Sequence, residues 1–505
     1  MSAKVLSAAV IGLDARIVEV EADISRGLPK VFIVGLPDTS VQEAKERVRS
    51  GIRNSNIKFP PGVITVNLAP AHIKKEGPSY DLPIAIAILK ASGIIKSKSE
   101  VDRLFIGELS LDGTLRPVKG VLPIALLANQ IKGSELYLPI KNAGEAGLVR
   151  GLAIYPVASL EDLIHHLSGE KKIKIFKSRA QRIDHKLNSK YDMSIIRGQE
   201  QAKRALEVAA AGGHNVLMTG PPGSGKTLLA RTMPTILPAM TFLESLEATK
   251  IYSVLGLLPG DTAMIRERPF RSPHHTSSAV ALVGGGSHPK PGEISLAHRG
   301  ILFLDEFSEF SRQVLESLRQ PLEDGVVSIS RASGSAIFPA RFTLIAAQNP
   351  CPCGFCDDPD RVCTCTPQQI IKYQKKISGP LLDRIDIHLN VPRLRYEKIS
   401  STSVSESSFS IRARIEKARQ VQTKRFKKTN ITVNSEMTIR DLEVYCQLDE
   451  QASLLIENAV NQYHLSVRSY HRILKVGRTI ADFSNSKSIL TEHIAESLQY
   501  RPSGI

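Results

Sequence analysis

Apolar and polar positions divide the chain into three stretches of different rhythm. The first, to about Leu167, alternates short β-branched runs with helical ones. Lys30–Val34 and Val63–Leu68 have strand length and composition. Between them, Ser40 and Glu43 have the spacing of a capping box, which predicts a helix running through Arg53. Asp81–Leu89 is apolar nearly throughout and predicts a buried helix. A charged, apolar-poor stretch, Lys171–Lys190, predicts a linker.

The second stretch runs from about Ser194 to Arg395. Asn215–Thr219, Ile301–Leu304 and Phe342–Ala347 are apolar runs of strand length, separated by long inserts rich in Gly and His. Val326–Arg331 and Ala336–Arg341 flank Ala332-Ser333-Gly334-Ser335 and predict a hairpin. A Ser-rich patch, Ser400–Ser410, closes the stretch. Helical periodicity fills the remainder, beginning with a basic helix over Arg412–Lys428. No fixed-period repeat is evident.

Composition narrows the class. A chain of 505 residues exceeds a single core, so two to four domains are expected. The 42% hydrophobic and 23% charged content is that of soluble globular domains. No apolar run reaches the roughly 18–20 residues that span a bilayer, so no membrane is expected. Met1–Gly12 lacks the pattern of a signal peptide, which makes the cytoplasm the expected location. Lys and Arg outnumber Asp and Glu by 66 to 50, a net charge of +16. Such an excess is either a solvated basic surface or the mark of a phosphate-bearing partner, with nucleic acid slightly favoured. Trp is absent and aromatics are 5%, so no stacking platform for single strands is evident.

The sharpest chemistry follows Asn215–Thr219. Gly220-Pro221-Pro222-Gly223-Ser224-Gly225-Lys226-Thr227 joins a strand to a helical run, Leu228–Arg231. Glycines at these positions leave backbone N–H groups free to wrap phosphates. Lys226 offers a charge to the β- and γ-phosphates, and the Thr227 hydroxyl suits Mg²⁺. The sequence thus predicts a site for ATP and Mg²⁺. Ile301–Leu304 ends in Asp305 and Glu306. Asp305 fits a second Mg²⁺ anchor, and Glu306 is placed to orient and polarise the attacking water. Asn349 follows the strand Phe342–Ala347, where its amide can meet the γ-phosphate or the water.

Five of the six cysteines lie between Cys351 and Cys365. Cys351 and Cys353, then Cys363 and Cys365, form two Cys-x-Cys pairs that offer four thiolates to a structural Zn²⁺. Cys356 is a fifth candidate, and reduced, unligated cysteines are the alternative. His274, His275, His288 and His298 precede the Asp305 strand without metal-type spacing, which favours a loop contacting neighbours or DNA.

In order, these motifs resemble the AAA+ ATPases. Ser272-Pro273-His274-His275-Thr276, Gly284-Gly285-Gly286, Pro291–Ala297 and Gly379-Pro380-Leu381-Leu382-Asp383-Arg384 resemble the magnesium chelatase-like branch. With the first stretch included, the whole chain resembles the YifB/ComM family of bacterial proteins. The resemblance implies an α/β multidomain chain: a Lon-like α+β domain over 1–170, a linker over 171–193, a three-layer αβα P-loop domain over 194–397 and a helical lid over 405–505. It implies that Arg384 is an arginine finger reaching a neighbouring subunit, that Arg468 is a second sensor on the lid, and that Gln199 lies beside the adenine. A finger acting in trans implies a homo-oligomeric ring, with a hexamer expected.

Lys75-Glu76-Gly77-Pro78-Ser79-Tyr80-Asp81 resembles the nucleophile segment of Lon-type proteases, and Gly107–Gly113 also matches that fold. The position of the family's lysine base carries Ile124, with Lys119 some residues earlier. An apolar side chain takes no proton, so the expectation is a Lon-like fold without peptidase activity, with Ser79 beside a helix start. The resemblance favours a DNA motor of the branch-migration type. A chelatase-like or chaperone-like ATPase remodelling a protein is the alternative reading, and an ATP-dependent peptidase is a third.

Overall fold

The computed structural model describes residues 2–95, 101–177, 190–259, 262–286, 289–331, 334–356, 358, 361–394, 405–427, 429 and 431–501. It divides into two compact units, Met1–Ile183 with Phe242–Ile265, and Asp184–Thr241 with Arg266–Ile505. Most of the expected linker, His288, the turn residues Ala332 and Ser333, Arg395, residues 400–404 of the Ser-rich patch, and Lys428 lie outside the described residues.

The first unit is built on a seven-stranded mixed sheet. Its strands are β1 (Ser2–Ile11), β2 (Asp14–Ser25), β3 (Lys30–Val34), β4 (Val63–Ala69), β5 (Arg103–Phe105), β8 (Glu135–Pro139) and β9 (Ala153–Val157); β6 (Glu108–Leu109) and β7 (Leu115–Arg116) form a separate small hairpin. The sheet order is β3-β4-β2-β1-β5-β8-β9. Alternation with period two explains its core: Val18, Val20 and Ala22 of β2, and Ile64, Val66 and Leu68 of β4, are buried with the helices Thr39–Asn54 and Asp81–Ala91. Burying each larger aliphatic side chain contributes about 1.5–3 kcal/mol relative to exposure. The long β1–β2 hairpin was not among the elements expected from sequence.

The helix Thr39–Asn54 corrects the expected cap. Asp38, not Ser40, is its N-cap, accepting from Val41 N at 2.8 Å. The same carboxylate accepts from Gly77 N at 3.0 Å, a tertiary contact that a local pattern does not reveal. Asp81 opens the second helix and is buried. It pairs with Arg47 through Nε (2.7 Å) and Nη2 (2.9 Å), and accepts from Leu109 N at 3.1 Å. Burial nevertheless raises its carboxyl above the usual range.

The helix Phe242–Leu255 lies between elements of the second sequence stretch, yet it packs in the first unit. Ser253 Oγ donates to the buried Glu145 carboxylate, Gly120 N donates to Ser253 O (3.0 Å), and Lys250 pairs with Asp14 (2.7 Å).

The second unit carries a five-stranded parallel sheet ordered β11-β14-β17-β10-β18. Its strands are β10 (Val216–Thr219), β11 (Phe270–Arg271), β14 (Ile301–Leu304), β17 (Thr343–Gln348) and β18 (Ile387–Asn390). Two hairpins stand apart from it: β12 (Gly284–Gly285) with β13 (Lys290–Pro291), and β15 (Val326–Arg331) with β16 (Gly334–Pro339). The second strand of the latter hairpin begins at Gly334 rather than at the expected Ala336, because Arg331 pairs directly with Gly334. The C-terminal helices have an apolar cluster of their own, including Phe426, Leu442, Ile456 and Leu474, and also pack on the sheet. Ile411, Ile415, Val476 and Ile480 share one apolar cluster with Val216, Met218, Phe303 and Ile345 of the sheet.

Candidate active site

Parallel strands carry their C-terminal ends to one edge of the sheet, where ligands of open α/β folds bind. Here β10 runs into Gly220–Gly225 and then into the helix Lys226–Ile236. Gly220 is required by a close approach: a Cβ there would lie 2.2 Å from Val391 O. Gly223 and Gly225 adopt φ of +77° and +93°, and a Cβ on either would meet nothing within 4 Å. The loop therefore presents an open concave backbone, as a phosphate cradle requires.

Lys226 is buried, and its Nζ donates to Gly220 O (2.7 Å) and Pro221 O (2.9 Å), with Asn349 Oδ1 at 3.3 Å. Desolvation lowers its pKa, opposed by the Asp305 carboxylate. Thr227 Oγ1 donates to Asp305 Oδ2 at 2.8 Å. This hydroxyl and carboxylate are close enough to share one hard cation, so the donor set fits Mg²⁺. Glu306 follows at φ +51°, a left-handed conformation that costs a non-glycine residue about 1 kcal/mol or more. It points its carboxylate at His275, with Nδ1 2.9 Å from Oε2.

His275 was read from sequence only as part of a contact loop. The signal that locates it is sheet register. Phe270 pairs with Ile301 and Arg271 with Leu302, so His275 and Glu306 lie equally far beyond the paired ends of β11 and β14. Of the other described histidines of this insert, His274 packs its ring 4.2 Å from that of His275 and bonds Thr276 (2.8 Å), and buried His298 accepts from Arg341 N (3.1 Å).

Gln199, at φ +56°, donates through Nε2 to Pro392 O (2.8 Å) and Ser224 O (3.4 Å). It borders a cavity of about 410 Å³, walled by Ile195, Ile196, Leu228 and Leu229 and by Gly223–Gly225. Apolar walls beside a phosphate cradle suit a flat base.

Arg384 is held by partners within its own chain. Its guanidinium pairs with Glu323 and donates to Pro380 O at 2.6 Å. Arg468 is largely exposed, 3.9 Å from Asp383. Arg472, one turn further along the helix Val467–Phe483, holds the same segment more closely, donating to Ile385 O (2.6 Å) and Leu382 O (3.1 Å).

The sulfurs of Cys351, Cys353, Cys363 and Cys365 all lie within 4.8 Å of one another. The closest separations are 3.3, 3.5 and 3.7 Å. Four thiolates bound tetrahedrally at about 2.3 Å stand about 3.8 Å apart, so the donor set fits a zinc ion. Cys356 enters through its backbone N–H, which donates to Cys351 Sγ at 3.3 Å. The Cys353 thiol is pushed down to about 5, chiefly by the backbone N–H of Phe355.

In the first unit, Ser79 lies in a short 3₁₀ turn, Pro78–Tyr80, and its carbonyl accepts from Gly107 N at 3.0 Å. Ile124 is buried among Ala8, Leu104 and Leu136. Lys75 is buried and donates to Pro70 O, with desolvation lowering its pKa. The Lys119 stem lies over Gly256.

The comparisons agree across the chain. Residues 192–399 match the family model of magnesium chelatase, subunit ChlI; residues 20–142 match that of subunit ChlI of Mg-chelatase; residues 405–501 match that of the ChlI C-terminal region. Competence protein ComM of Haemophilus influenzae is 45% identical over 505 residues, covering 98% of this chain and 97% of the relative. This chain belongs to the YifB/ComM family of magnesium chelatase-like AAA+ ATPases. The Escherichia coli protein YifB is 41% identical over 499 residues, covering 98% and 96% of the two chains. DNA replication licensing factor Mcm2 of Drosophila melanogaster is 28% identical over 206 residues, 38% of this chain and 20% of that protein. Among the described residues no helix is long and apolar enough to cross a membrane.

Proposed function

We propose that this chain is an ATP-hydrolysing motor that assembles into a ring, expected to be hexameric, and acts on branched or single-stranded DNA. The observation that carries the hydrolytic part is the pairing of Lys226 with Asn349 (3.3 Å) and of Thr227 with Asp305 (2.8 Å), with Glu306 next in the chain. In this reading Gly220–Gly225 wrap the phosphates, and Gln199 borders the base. Thr227 and Asp305 hold Mg²⁺. Glu306 takes the proton of the water that attacks the γ-phosphorus as the bond to the ADP oxygen breaks. Arg384 serves the neighbouring subunit's γ-phosphate, and Arg468 completes the lid side of the site.

The DNA part is supported by the net charge of +16 and by a cleft of about 630 Å³ lined by Arg312, Lys372, Lys375 and Lys376. Clustered cations of this kind release counterions when they meet a phosphate backbone. The names of two relatives, a competence protein and a replication licensing factor, point the same way. The hairpin β15–β16, with Arg331 at its tip, is read as a pore element.

The four thiols are read as a structural Zn²⁺ site, closed to substrate. The first unit is read as a Lon-like fold without peptidase activity, because Ile124 stands where a base would be needed. ATPase rates on a panel of single-stranded, duplex and branched DNAs test the motor reading. A salt-sensitive rise in rate is expected; no stimulation by any form, with no binding at low salt, would exclude it.

A further inference from the structure

The cysteine loop is packed against the phosphate-binding loop. Gly354, within the Cys351–Cys356 turn, adopts φ +84° and donates its N–H to Cys351 O at 3.0 Å. A Cβ on Gly354 would lie 2.6 Å from Pro222 Cδ and 2.8 Å from Pro222 Cγ. The backbone of the turn therefore rests directly on the phosphate loop, with no room for a side chain between them. The same Cβ position is 3.8 Å from Asn349 Cγ, and Asn349 Oδ1 is 3.3 Å from Lys226 Nζ. One short turn thus abuts two members of the nucleotide site.

What fixes that turn is the sulfur cluster. Among the described residues, no helix or strand forms between Cys351 and Cys365, and none of the six cysteines forms a disulfide. Local order rests on the convergence of four sulfurs and on N–H···S bonds, from Cys353 N to Cys365 Sγ (3.4 Å) and from Cys356 N to Cys351 Sγ (3.3 Å). Such bonds orient and stabilise thiolates around a metal. Without a cation the cluster keeps thiol protons, and nothing fixes the four sulfurs in one tetrahedral arrangement. Occupancy then decides whether Gly354 is held on Pro222.

We propose that Zn²⁺ bound by Cys351, Cys353, Cys363 and Cys365 braces the phosphate loop through Gly354 and Pro222, so that metal occupancy sets nucleotide affinity. This rests on the zinc reading above. Binding releases the thiol protons and involves no change of oxidation state. The effect is local: the metal touches no nucleotide and acts by holding Pro222 and Asn349 in place.

The full chain tests this, with zinc measured by elemental analysis and affinity by fluorescent methylanthraniloyl-ADP at fixed Mg²⁺. Wild type is expected to hold one zinc, released by a mercurial reagent that titrates the thiols. Cys363→Ser with Cys365→Ser is expected to lose the zinc, keep its far-ultraviolet circular dichroism and bind the nucleotide about tenfold more weakly. Gly354→Ala is expected to keep the zinc and weaken nucleotide binding similarly. A wild type that holds no zinc after reconstitution overturns the zinc reading and the brace together. Zinc lost with affinity unchanged overturns the brace alone. If the double serine variant does not fold, Gly354→Ala decides: zinc retained with unchanged affinity overturns the brace.

Discussion

His275 Nδ1 lies 2.9 Å from Glu306 Oε2, joining two loops that leave neighbouring parallel strands. The contact fixes the direction of a carboxylate whose own backbone is held in the left-handed region. Two variants separate orientation from chemistry. Glu306→Gln should bind ATP normally and hydrolyse it at least about a hundredfold more slowly. His275→Ala should lower kcat several-fold to about tenfold while leaving the affinity for methylanthraniloyl-ADP unchanged. Wild-type turnover in Glu306→Gln would show that another group activates the water.

Thr227→Ala removes the hydroxyl that meets Asp305 at 2.8 Å. The expected outcome is a sharp rise in the Mg²⁺ concentration needed for half-maximal hydrolysis. Metal titrations of wild type and variant check this, and equal Mg²⁺ requirements would contradict it.

Arg384 pairs with Glu323 of its own chain, and its proposed catalytic role is at the site of a second subunit. Arg384→Ala should retain nucleotide binding but lose about 10³-fold or more in kcat. Mixing Arg384→Ala with Lys226→Ala should restore part of the rate, since some interfaces would then combine an intact loop with an intact arginine. Mixtures no more active than either variant would argue against a finger in trans.

Burial pushes the His388 imidazole down to about 4, with Arg472 adding to the effect. The neutral ring is therefore favoured in the folded state. Its stabilising contribution is complete above pH about 6.5 and is lost as pH falls towards 4, by up to about 3 kcal/mol. His388→Gln should flatten the fall in melting temperature across that window, measured by thermal denaturation. An unchanged pH profile would contradict this assignment.

Lys372→Glu with Lys375→Glu reverses two charges in the basic cleft. DNA affinity should fall for every sequence tested, and the dependence of log affinity on log salt should become shallower by about two. DNA-independent ATP hydrolysis should be unaffected.

Much of the proposed nucleotide site is legible in the sequence because its chemistry is local: Gly220–Thr227, Asp305 with Glu306, and Asn349 each follow an apolar strand. Lys30–Val34 was read correctly for the same reason. What escaped depends on tertiary contacts. The cap at Asp38 is selected partly by Gly77 N, across the fold. The helix Phe242–Leu255 buries Ser245, Thr249 and Ser253, a hydroxyl-bearing face that apolar periodicity does not flag, and so its membership of the first unit was not evident. His275 becomes meaningful only when β11 is known to lie beside β14. The four cysteines named from their two Cys-x-Cys pairs, Cys351, Cys353, Cys363 and Cys365, are the four whose sulfurs converge.

The central claim is that ATP hydrolysis in an assembled ring moves DNA strands. Its most direct test is conversion of a labelled four-way junction into its separated arms by the full chain, with wild type and Glu306→Gln compared. The account predicts conversion by wild type with ATP and Mg²⁺, none with a non-hydrolysable analogue, and none by Glu306→Gln despite junction binding. Robust ATP hydrolysis by wild type with the junction left intact, and no DNA binding at low salt, would contradict it.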